Sequence, residues 1–176
     1  MAAPDRLYVV AAWVPRRATI TVGALGPVRI ERGWQAYVGS ARRGRDARVA
    51  RHCRAVKPLR WHADYLFAPW PATRAWLLDT ALDECALAAR LRAALAVPCA
   101  ARGAGTSARP GAGAGPAAAG SSPRLPAAGF GSSDCGCPGH LVRAPSLAAL
   151  RGALRAAVGE GDTLRATRAA RPGRGS

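Results

Sequence analysis

Acidic residues and lysine are scarce in this chain of 176 residues. It contains 10 aspartates and glutamates against 26 lysines and arginines, and Lys57 is its only lysine. The formal net charge of +16 favours binding to polyanions, of which nucleic acid is the commonest. A solvated basic surface without a dedicated partner is the alternative that composition leaves open.

The chain also lacks a long hydrophobic run and a secretory signal. No stretch reaches the roughly 20 apolar residues of a membrane-spanning helix, so we expect no membrane association. The N-terminus places Asp5 and Arg6 before a short apolar segment, which is not typical of a signal peptide. The five cysteines are an odd number, and we expect a reducing cytoplasm in which thiols are free or bind metal.

Strand-like segments dominate the first part of the chain. Residues 6–14, 18–23, 28–31 and 34–39 are rich in β-branched and aromatic residues, and glycine-containing turns separate the later ones. Together they predict an antiparallel meander, and "RAWLLD" at 74–79 predicts a further strand. The expected fold class is α/β (α+β), a small and mainly antiparallel sheet flanked by helices.

Helical patterns follow the first strands. Basic residues around Val49 and Cys53 predict an amphipathic helix from about 46 to 54, and 60–67 predicts a short helix. Thr80 and Asp83 have capping-box spacing before a helix with a leucine stripe. A C-terminal helix is expected within 145–160.

Composition divides the chain into an ordered domain and loose segments. Residues 6–144 form the expected domain, interrupted at 97–128 by Ala/Gly/Pro/Ser low complexity that predicts a disordered insertion. Residues 161–176 are arginine-rich and predict a loose basic tail.

Five motifs occur in order: "AYVGSA", "ARVARH", "WHADYL", "ECALAARL" and "GFGSSDCGCPGHL". With Tyr8 in the first strand, they resemble the GIY-YIG nuclease superfamily. The closer resemblance is to its Uri-type branch, long catalogued as a domain of unknown function. The resemblance implies a GIY-YIG-like sheet and a metal-dependent endonuclease acting on DNA, in repair or processing.

The same resemblance implies roles for individual residues. Tyr8 and Tyr37 match the motif tyrosines that position or deprotonate the attacking water, and Arg48 matches the catalytic arginine. A phenol with a pKa near 10 needs a neighbouring cation or metal to do this at neutral pH. The alternative for each tyrosine is a half-buried strand residue whose hydroxyl is satisfied within the protein.

Arg48 and His52 are four residues apart, so they share one helix face. A guanidinium can bind two phosphate oxygens, and His52 could assist proton transfer or hold a phosphate oxygen. The other basic and polar residues expected at a DNA-facing surface are Arg42, Arg43, Arg45, Arg51, Arg54, Ser132 and Ser133.

Glu84 matches the metal-binding glutamate of the superfamily and would hold Mg²⁺ or Mn²⁺. Only six other acidic residues precede the predicted insertion, which makes Glu84 the leading ligand candidate. The alternative is a glutamate that stabilises a helix N-terminus. His62 and Asp64 could flank the same cleft or make internal contacts.

The segment "DCGCPGH" carries the most unusual chemistry of the chain. Cys135, Cys137 and His140 can reach one centre, and Cys85 could complete a tetrahedral Zn²⁺ site. Free thiols in a loop at the rim of the site, or redox-sensing thiols, remain open alternatives. For the whole chain, the alternative to an enzyme is a non-catalytic, basic nucleic-acid-binding module with the same fold, and RNA is not excluded as a partner.

Overall fold

The computed structural model describes residues 6–96, 129–159 and 161–168. Its strands are β1 (Arg6–Val14), β2 (Ala18–Val22), β3 (Gly26–Ile30), β4 (Gly33–Ser40), β5 (Arg74–Asp79), β6 (Leu141–Ala144) and β7 (Thr163–Arg168). Five of them form one sheet in the order β6-β4-β1-β5-β7, and all neighbours are antiparallel. The predicted fold class is confirmed.

Helices cover both faces of this sheet. They are α1 (Arg45–His52), α2 (His62–Phe67), α3 (Glu84–Ala96) and α4 (Leu147–Ala157). Buried residues of α1, α2, β2 and β3 share one core with one face of β1, whereas buried residues of α3 and α4 share another core with the opposite face. None of the described helices has the length and apolar character needed to cross a bilayer.

Strand β1 is the centre of the sheet. Tyr8 and Val10 belong to the core on one face, and Leu7 and Val9 belong to the core on the other. A strand buried on both faces reads as a nearly continuous apolar run, which explains the sequence of β1. Its direct antiparallel pairing with β4 brings the tyrosines of both strands to one face.

The predicted meander is wrong in one respect. Strands β2 and β3 pair only with each other among the described strands, as a separate antiparallel hairpin with a 3-10 turn at Gly23–Leu25. The hairpin packs Val22, Val28 and Ile30 into the core shared with α1 and α2. Burial of these apolar side chains stabilises the hairpin against this face of the sheet.

The predicted capping box before α3 is also wrong. The Asp83 carboxylate itself accepts the Ala86 N–H at 2.7 Å, so Asp83 caps the helix. Thr80 accepts the Leu82 N–H and donates its hydroxyl hydrogen to Asp162 at 2.9 Å. Thr80 therefore links the start of α3 to the C-terminal segment.

Strand β7 replaces part of the predicted loose tail. Its residues pair with the whole of β5, and Leu164 packs against the core beneath α3 and α4. A strand with one apolar anchor among arginines gives little hydrophobic periodicity, and its edge position tolerates such a sequence. The predicted insertion at 97–128 lies outside the described residues, as do residues 169–176 of the predicted tail.

Candidate active site

Two tyrosines lie side by side where β1 and β4 meet. Tyr8 is opposite Gly39, and Tyr37 is opposite Val10, so both phenols are on the same sheet face two positions apart. A Cβ at Gly39 would lie 2.5 Å from the Tyr8 Cζ and hydroxyl oxygen. The glycine of the Tyr-Val-Gly motif therefore gives the Tyr8 ring room to lie over β4.

The Tyr8 hydroxyl contacts the last residue of α1. Its oxygen is 3.1 Å from His52 Nε2, and both side chains are buried. Burial lowers the pKa of His52 to about 4, with a further lowering from Lys57, so the imidazole is neutral at pH 7. The tautomer sets the direction of this hydrogen bond: a ring with Nε2 unprotonated accepts the phenol hydrogen, and a ring protonated at Nε2 donates to the phenol oxygen. His52 Nδ1 is buried with no hydrogen-bond partner among the described residues.

Both phenols stay protonated at neutral pH. Burial raises the pKa of Tyr8 to about 12 and also raises that of Tyr37. Burial is the larger effect on both phenols. Arg48 lowers both pKa values, as expected for a neighbouring cation, but by less than burial raises them. The tyrosines are therefore suited to hydrogen bonding and proton relay rather than to acting as standing phenolates.

Arg48 projects from the same helix as His52 and is exposed. Its Nη1 donates to the Ser40 carbonyl oxygen at 3.1 Å, and its Cζ lies 4.9 Å from the centre of the Trp61 ring. The guanidinium is thus held at the C-terminal end of β4, beside the tyrosines. Such a group can bind a phosphate without further reorganisation.

Glu84 and Asp134 supply two carboxylates to the site. Glu84 is the first residue of α3, and Asp134 lies in the loop that precedes β6. The charge of Glu84 raises the pKa of both Tyr8 and Tyr37, and the charge of Asp134 raises that of Tyr37, which places both acids near the phenols. Carboxylate oxygens are the donors that Mg²⁺ and Mn²⁺ prefer, so this donor set fits a divalent ion.

All five residues expected to be catalytic line one cavity of about 280 Å³, namely Tyr8, Tyr37, Arg48, His52 and Glu84. Its other lining residues are Ser40, Arg60, Trp61, His62, Gly131, Ser133 and Asp134. The cavity is therefore polar and is built from strands, helices and loops that are distant in sequence. Ser133 lines it as expected, whereas Ser132, in the same loop, is buried and does not line it.

His62 connects α2 to the loop before β6. Its Nδ1 accepts the Gly131 N–H at 2.9 Å. Gly131 has φ +80°, and a Cβ there would lie 2.6 Å from Tyr37 Cε2. His62 thus holds this loop against the Tyr37 ring. Of the two alternatives considered from the sequence, His62 fulfils both, because it makes an internal contact and also lines the cavity.

Asp64 does not line the cavity, unlike His62. It is fully buried and forms a bidentate ion pair with Arg51, with Nε–Oδ1 at 3.2 Å and Nη2–Oδ2 at 2.8 Å. The same carboxylate accepts the backbone N–H groups of Arg60 and Trp61 at the start of α2. These hydrogen bonds lower the pKa of Asp64 although burial acts to raise it.

The five arginines expected to form a DNA-facing patch divide into two groups. Arg42, Arg43 and Arg54 are exposed. Arg45 instead donates to the Leu7 and Leu78 carbonyl oxygens and pairs with Asp79 at 2.7 Å, which ties α1 to β1 and β5. Arg51 pairs with the buried Asp64, so Arg45 and Arg51 both have partners within the protein, and their assignment to a DNA-facing patch stays a prediction.

The Cys85, Cys135, Cys137 and His140 side chains form a cluster beside the cavity. Their potential ligand atoms all lie within 4.8 Å of one another, so the cluster could hold a metal ion. His140 Nε2 is 3.5 Å from Cys85 Sγ and 3.6 Å from Cys135 Sγ. A tetrahedral zinc with bonds of about 2.3 Å to sulfur and 2.0 Å to nitrogen sets this separation at about 3.6 Å.

One separation in the cluster is shorter than zinc would require. The Cys135 and Cys137 Sγ atoms are 3.3 Å apart, against about 3.8 Å for two thiolates on a tetrahedral zinc. A small rotation of either side chain would correct this. All three cysteines are free thiols, and His140 is buried with no hydrogen-bond partner for Nδ1 among the described residues.

The metal-binding cluster adjoins the two acids of the cavity. Cys85 follows Glu84 at the start of α3, and Cys135 follows Asp134 in the loop. An ion in the cluster would therefore tie together the two segments that carry these carboxylates. The sequence suggested the cluster and already places Cys85 beside Glu84 and Cys135 beside Asp134; the fold adds the meeting of these two segments, which are about 50 residues apart.

Several cavity residues were not predicted individually as site residues, although Ser40 and Trp61 lie within the motifs "AYVGSA" and "WHADYL". Ser40, Arg60 and Trp61 line the cavity because of where β4 ends and α2 begins. The tryptophan of "WHADY" was the one available sign, since a large aromatic directly before a helix is unusual at an exposed position.

Comparisons with known proteins give one result. No curated protein and no solved structure matches the chain. One family model matches residues 7–109, which span the strands β1–β5 and helices α1–α3 and carry every described cavity residue except those of the loop before β6. The chain therefore belongs to the family described as Domain of unknown function DUF123.

Proposed function

We propose that this chain is a metal-dependent endonuclease of the GIY-YIG superfamily, in its Uri-type branch, and that it hydrolyses phosphodiester bonds in DNA. One observation carries the proposal. Two phenols, a neutral imidazole, a guanidinium and two carboxylates line a single polar cavity. A buried tyrosine pair alone would be structural, but this combination supplies each group that phosphodiester hydrolysis requires.

Tyr8 and His52 activate the attacking water in this proposal. The water oxygen forms a bond to phosphorus, and its proton passes to the Tyr8 oxygen as the phenol proton passes to His52 Nε2. The pKa values of about 12 and about 4 make a separated phenolate–imidazolium pair unfavourable, so both proton transfers occur together with attack. The bond between phosphorus and the leaving sugar oxygen breaks, this oxygen takes a proton from solvent, and His52 returns its proton to solvent.

Arg48 holds the phosphate during this step. Its guanidinium is exposed to the cavity and can donate two hydrogen bonds to non-bridging oxygens, where negative charge increases in the transition state. Tyr37 can donate a hydrogen bond to the same phosphate, because its raised pKa keeps its hydroxyl protonated.

Glu84 would hold the Mg²⁺ or Mn²⁺ ion, with Asp134 as a second carboxylate. When bound, a divalent ion neutralises charge on the leaving oxygen. Of the described residues, only these two acids line the cavity, whereas the Asp46, Asp79 and Asp83 carboxylates do not line it. The assignment of Glu84 from the sequence is thus extended by Asp134.

DNA is the proposed partner because of the charge of the surface around the cavity. The formal net charge is +16, and Arg42, Arg43 and Arg54 are exposed on or beside α1. Phosphate contacts by such residues give sequence-independent affinity that falls with salt. The proposed setting is repair or processing of structured DNA.

Zn²⁺ is the proposed occupant of the Cys85, Cys135, Cys137 and His140 cluster. Three thiolates and an imidazole are a common structural zinc site, and here their ligand atoms all lie within 4.8 Å of one another. The site would stabilise the loop before β6 and take no part in hydrolysis. It requires reduced thiols, which agrees with a cytoplasmic location.

A nicking assay tests the proposed hydrolysis. Plasmid, branched, damaged and single-stranded DNA, and RNA of matched shape, are incubated with the protein and Mg²⁺, with EDTA as the blank. We expect EDTA-sensitive cleavage, and a loss of about a hundredfold or more in Glu84→Gln and Arg48→Ala. Glu31→Gln is the matched control, since Glu31 pairs with Arg17 on the β2–β3 hairpin.

The assay has two contrary outcomes. Glu84→Gln or Arg48→Ala cutting as fast as the parent would refute the assigned roles. A parent protein that binds DNA with a steep salt dependence but yields no product would be a binding module without catalysis. Both variants must show unchanged thermal unfolding for the comparison to hold.

A further inference from the structure

The loop between α1 and α2 displays apolar side chains to solvent. Among the described residues, four large hydrophobic side chains are exposed, and three of them, Val56, Leu59 and Trp61, lie within six positions of one another. The exposed fractions are 92% for Val56 and 46% for Leu59. Single exposed apolar residues are ordinary, but a group of them in one short loop indicates a contact surface.

This loop is held in place by Lys57. Its Nζ lies within hydrogen-bonding distance of four backbone carbonyl oxygens, those of Arg51, His52, Arg54 and Phe67, at 2.8–3.4 Å. Burial lowers the pKa of Lys57 to about 8. The lysine thus points inward and closes the loop over the end of α1, which leaves its neighbour Val56 outside.

The other end of the loop is equally fixed. The Arg51 guanidinium donates to the Pro58 carbonyl oxygen and to Asp64, and Asp64 accepts the Arg60 and Trp61 N–H groups. Leu59 lies between these anchors. The loop therefore presents Val56 and Leu59 on a prearranged backbone, which reduces the conformational cost of inserting them into a partner.

The end of the loop that carries Leu59 adjoins the cavity, and Val56 lies three residues earlier in the chain. Arg60 and Trp61 line it, and the Leu59 Cα is within about 7 Å of the Trp61 Cα because the two are only two residues apart. Arg51 and Arg48 cover the Trp61 ring with their guanidinium groups, each less than 5 Å from its centre. Guanidinium groups thus contact the Trp61 ring, which is 41% exposed, whereas Val56 and Leu59 have no such contact among the described residues.

Charge indicates what this surface contacts. Arg54 and Arg60 are exposed on either side of Val56 and Leu59, and the cavity beyond them carries Arg48. An apolar pair bracketed by arginines matches a nucleic acid, whose bases are apolar on their faces and whose backbone is anionic. A hydrophobic protein partner would not need the flanking cations.

We infer that Val56 and Leu59 form a wedge that enters the base stack next to the phosphate bound in the cavity. This rests on the proposed function and specifies its substrate class: duplex DNA interrupted by an unpaired or unstacked nucleotide. Aliphatic side chains are used in this way to separate base steps. Insertion costs less where a mismatch or bulge has already weakened stacking, so such sites are selected.

Fluorescence of 2-aminopurine tests the wedge without requiring catalysis. Two duplexes carry the base analogue at the same position, one fully paired and one beside a single-nucleotide bulge, and binding is measured in EDTA. We expect about tenfold tighter binding to the bulged duplex, with a rise in fluorescence as the base unstacks. In the double variant Val56→Ser, Leu59→Ser, both the preference and the rise are abolished.

Two controls accompany this measurement. Trp13→Thr removes another exposed apolar side chain, which is 39% exposed and lies at the end of β1 far from Tyr8. This variant should keep the preference for the bulged duplex. The double variant should unfold within a few degrees of the parent, because Val56 is 92% exposed and Leu59, at 46%, is only partly buried.

The outcomes separate the wedge from the hydrolase. Equal affinity of the parent for both duplexes, or a double variant that keeps the preference, overturns the wedge, even if the parent cuts DNA with Mg²⁺. A preference and a fluorescence rise in EDTA support the wedge, even if no cleavage is found. Failure to bind either duplex overturns it, and leaves a hydrophobic protein partner as the occupant of the loop.

Discussion

Gly39 on β4 provides the space that the Tyr8 ring occupies. A Cβ at this position would lie 2.5 Å from the Tyr8 Cζ and hydroxyl oxygen, a separation that real Cβ contacts do not reach. The two residues are paired across β1 and β4, and the Tyr8 hydroxyl is hydrogen-bonded to His52. The glycine thus sets the position of the proposed proton relay.

Gly39→Ala tests this relationship. The added methyl group must displace the buried Tyr8 ring, so we expect a decrease of about 1–3 kcal/mol in the free energy of unfolding and a large decrease in cleavage. Urea denaturation and the nicking assay measure the two effects. The control is Gly152→Ala in α4, where no atom lies within 4 Å of the new Cβ, and where we expect unchanged or slightly higher stability. Equal behaviour of the two variants would contradict the prediction.

Trp61 orients the guanidinium of Arg48. The Arg48 Cζ lies 4.9 Å from the ring centre, and a cation–π contact at an exposed site is worth about 1 kcal/mol. We therefore expect Trp61→Ala to lower kcat about fivefold with a smaller change in KM, because phosphate binding by Arg48 survives with poorer geometry. Trp61→Phe, which keeps an aromatic face, should restore most of kcat. A phenylalanine variant as slow as the alanine variant would show that the ring acts in another way.

Arginines in and around α1 are expected to fall into two groups, one that affects DNA binding and one that affects stability. Arg54→Ala and Arg42→Ala should keep the stability of the parent and reduce the slope of log affinity against log salt by about 0.9 for each phosphate that the protein no longer neutralises. Arg51→Ala should instead destabilise the fold by about 3 kcal/mol, because Asp64 is fully buried and would be left without its charged partner. A normal unfolding midpoint in Arg51→Ala would contradict the structural role.

The sequence predicted most of the strands but missed the last one. The apolar runs of β1 and β5 and the β-branched run of β2 predicted strands with nearly correct bounds, because burial of a sheet leaves a direct apolar pattern. Strand β7 was missed, since Leu164 is the one large apolar side chain among "TLRATR". Local patterns report burial, and an arginine-rich edge strand buries little.

The sequence also predicted part of the site and missed part of it. Motif order identified Tyr8, Tyr37 and Glu84, which the structure brings to one cavity. It did not distinguish Arg51 from Arg54, because both are arginines near the end of α1. Their roles depend on whether an internal carboxylate is in reach, and the partner Asp64 is 13 residues away in another helix. Pairing across elements is a property of the fold that local sequence does not contain.

Acid should destabilise the fold through His52. The pKa of His52 is about 4 in the folded protein and near 6.5 when unfolded, so both states hold the neutral ring above pH 6.5. As pH falls from 6.5 to 4, the unfolded state binds a proton that the folded state excludes, and stability falls by up to about 3 kcal/mol. Asp64, Lys57, Arg51 and Arg48 also act on this ring.

His52→Gln isolates this contribution. The amide can still accept the Tyr8 hydroxyl hydrogen but does not titrate, and other groups affect both proteins alike. The difference in unfolding free energy between parent and variant, measured by urea denaturation at several pH values, should therefore shrink as pH falls below 6.5. A difference that stays constant between pH 7 and pH 4.5 would show that His52 is not held neutral by burial.

Zinc binding should control the stability of the loop before β6. Purified protein is expected to contain about one zinc per chain by elemental analysis, and Cys135→Ser should release the metal and unfold at a lower temperature. Cys53→Ser is the matched control, because Cys53 is buried away from the cluster and donates to the Val49 carbonyl oxygen. It should keep the zinc. A parent protein without zinc, whose mass falls by about two hydrogens on mild oxidation, would instead support redox-active thiols at Cys135 and Cys137, whose sulfur atoms are already close.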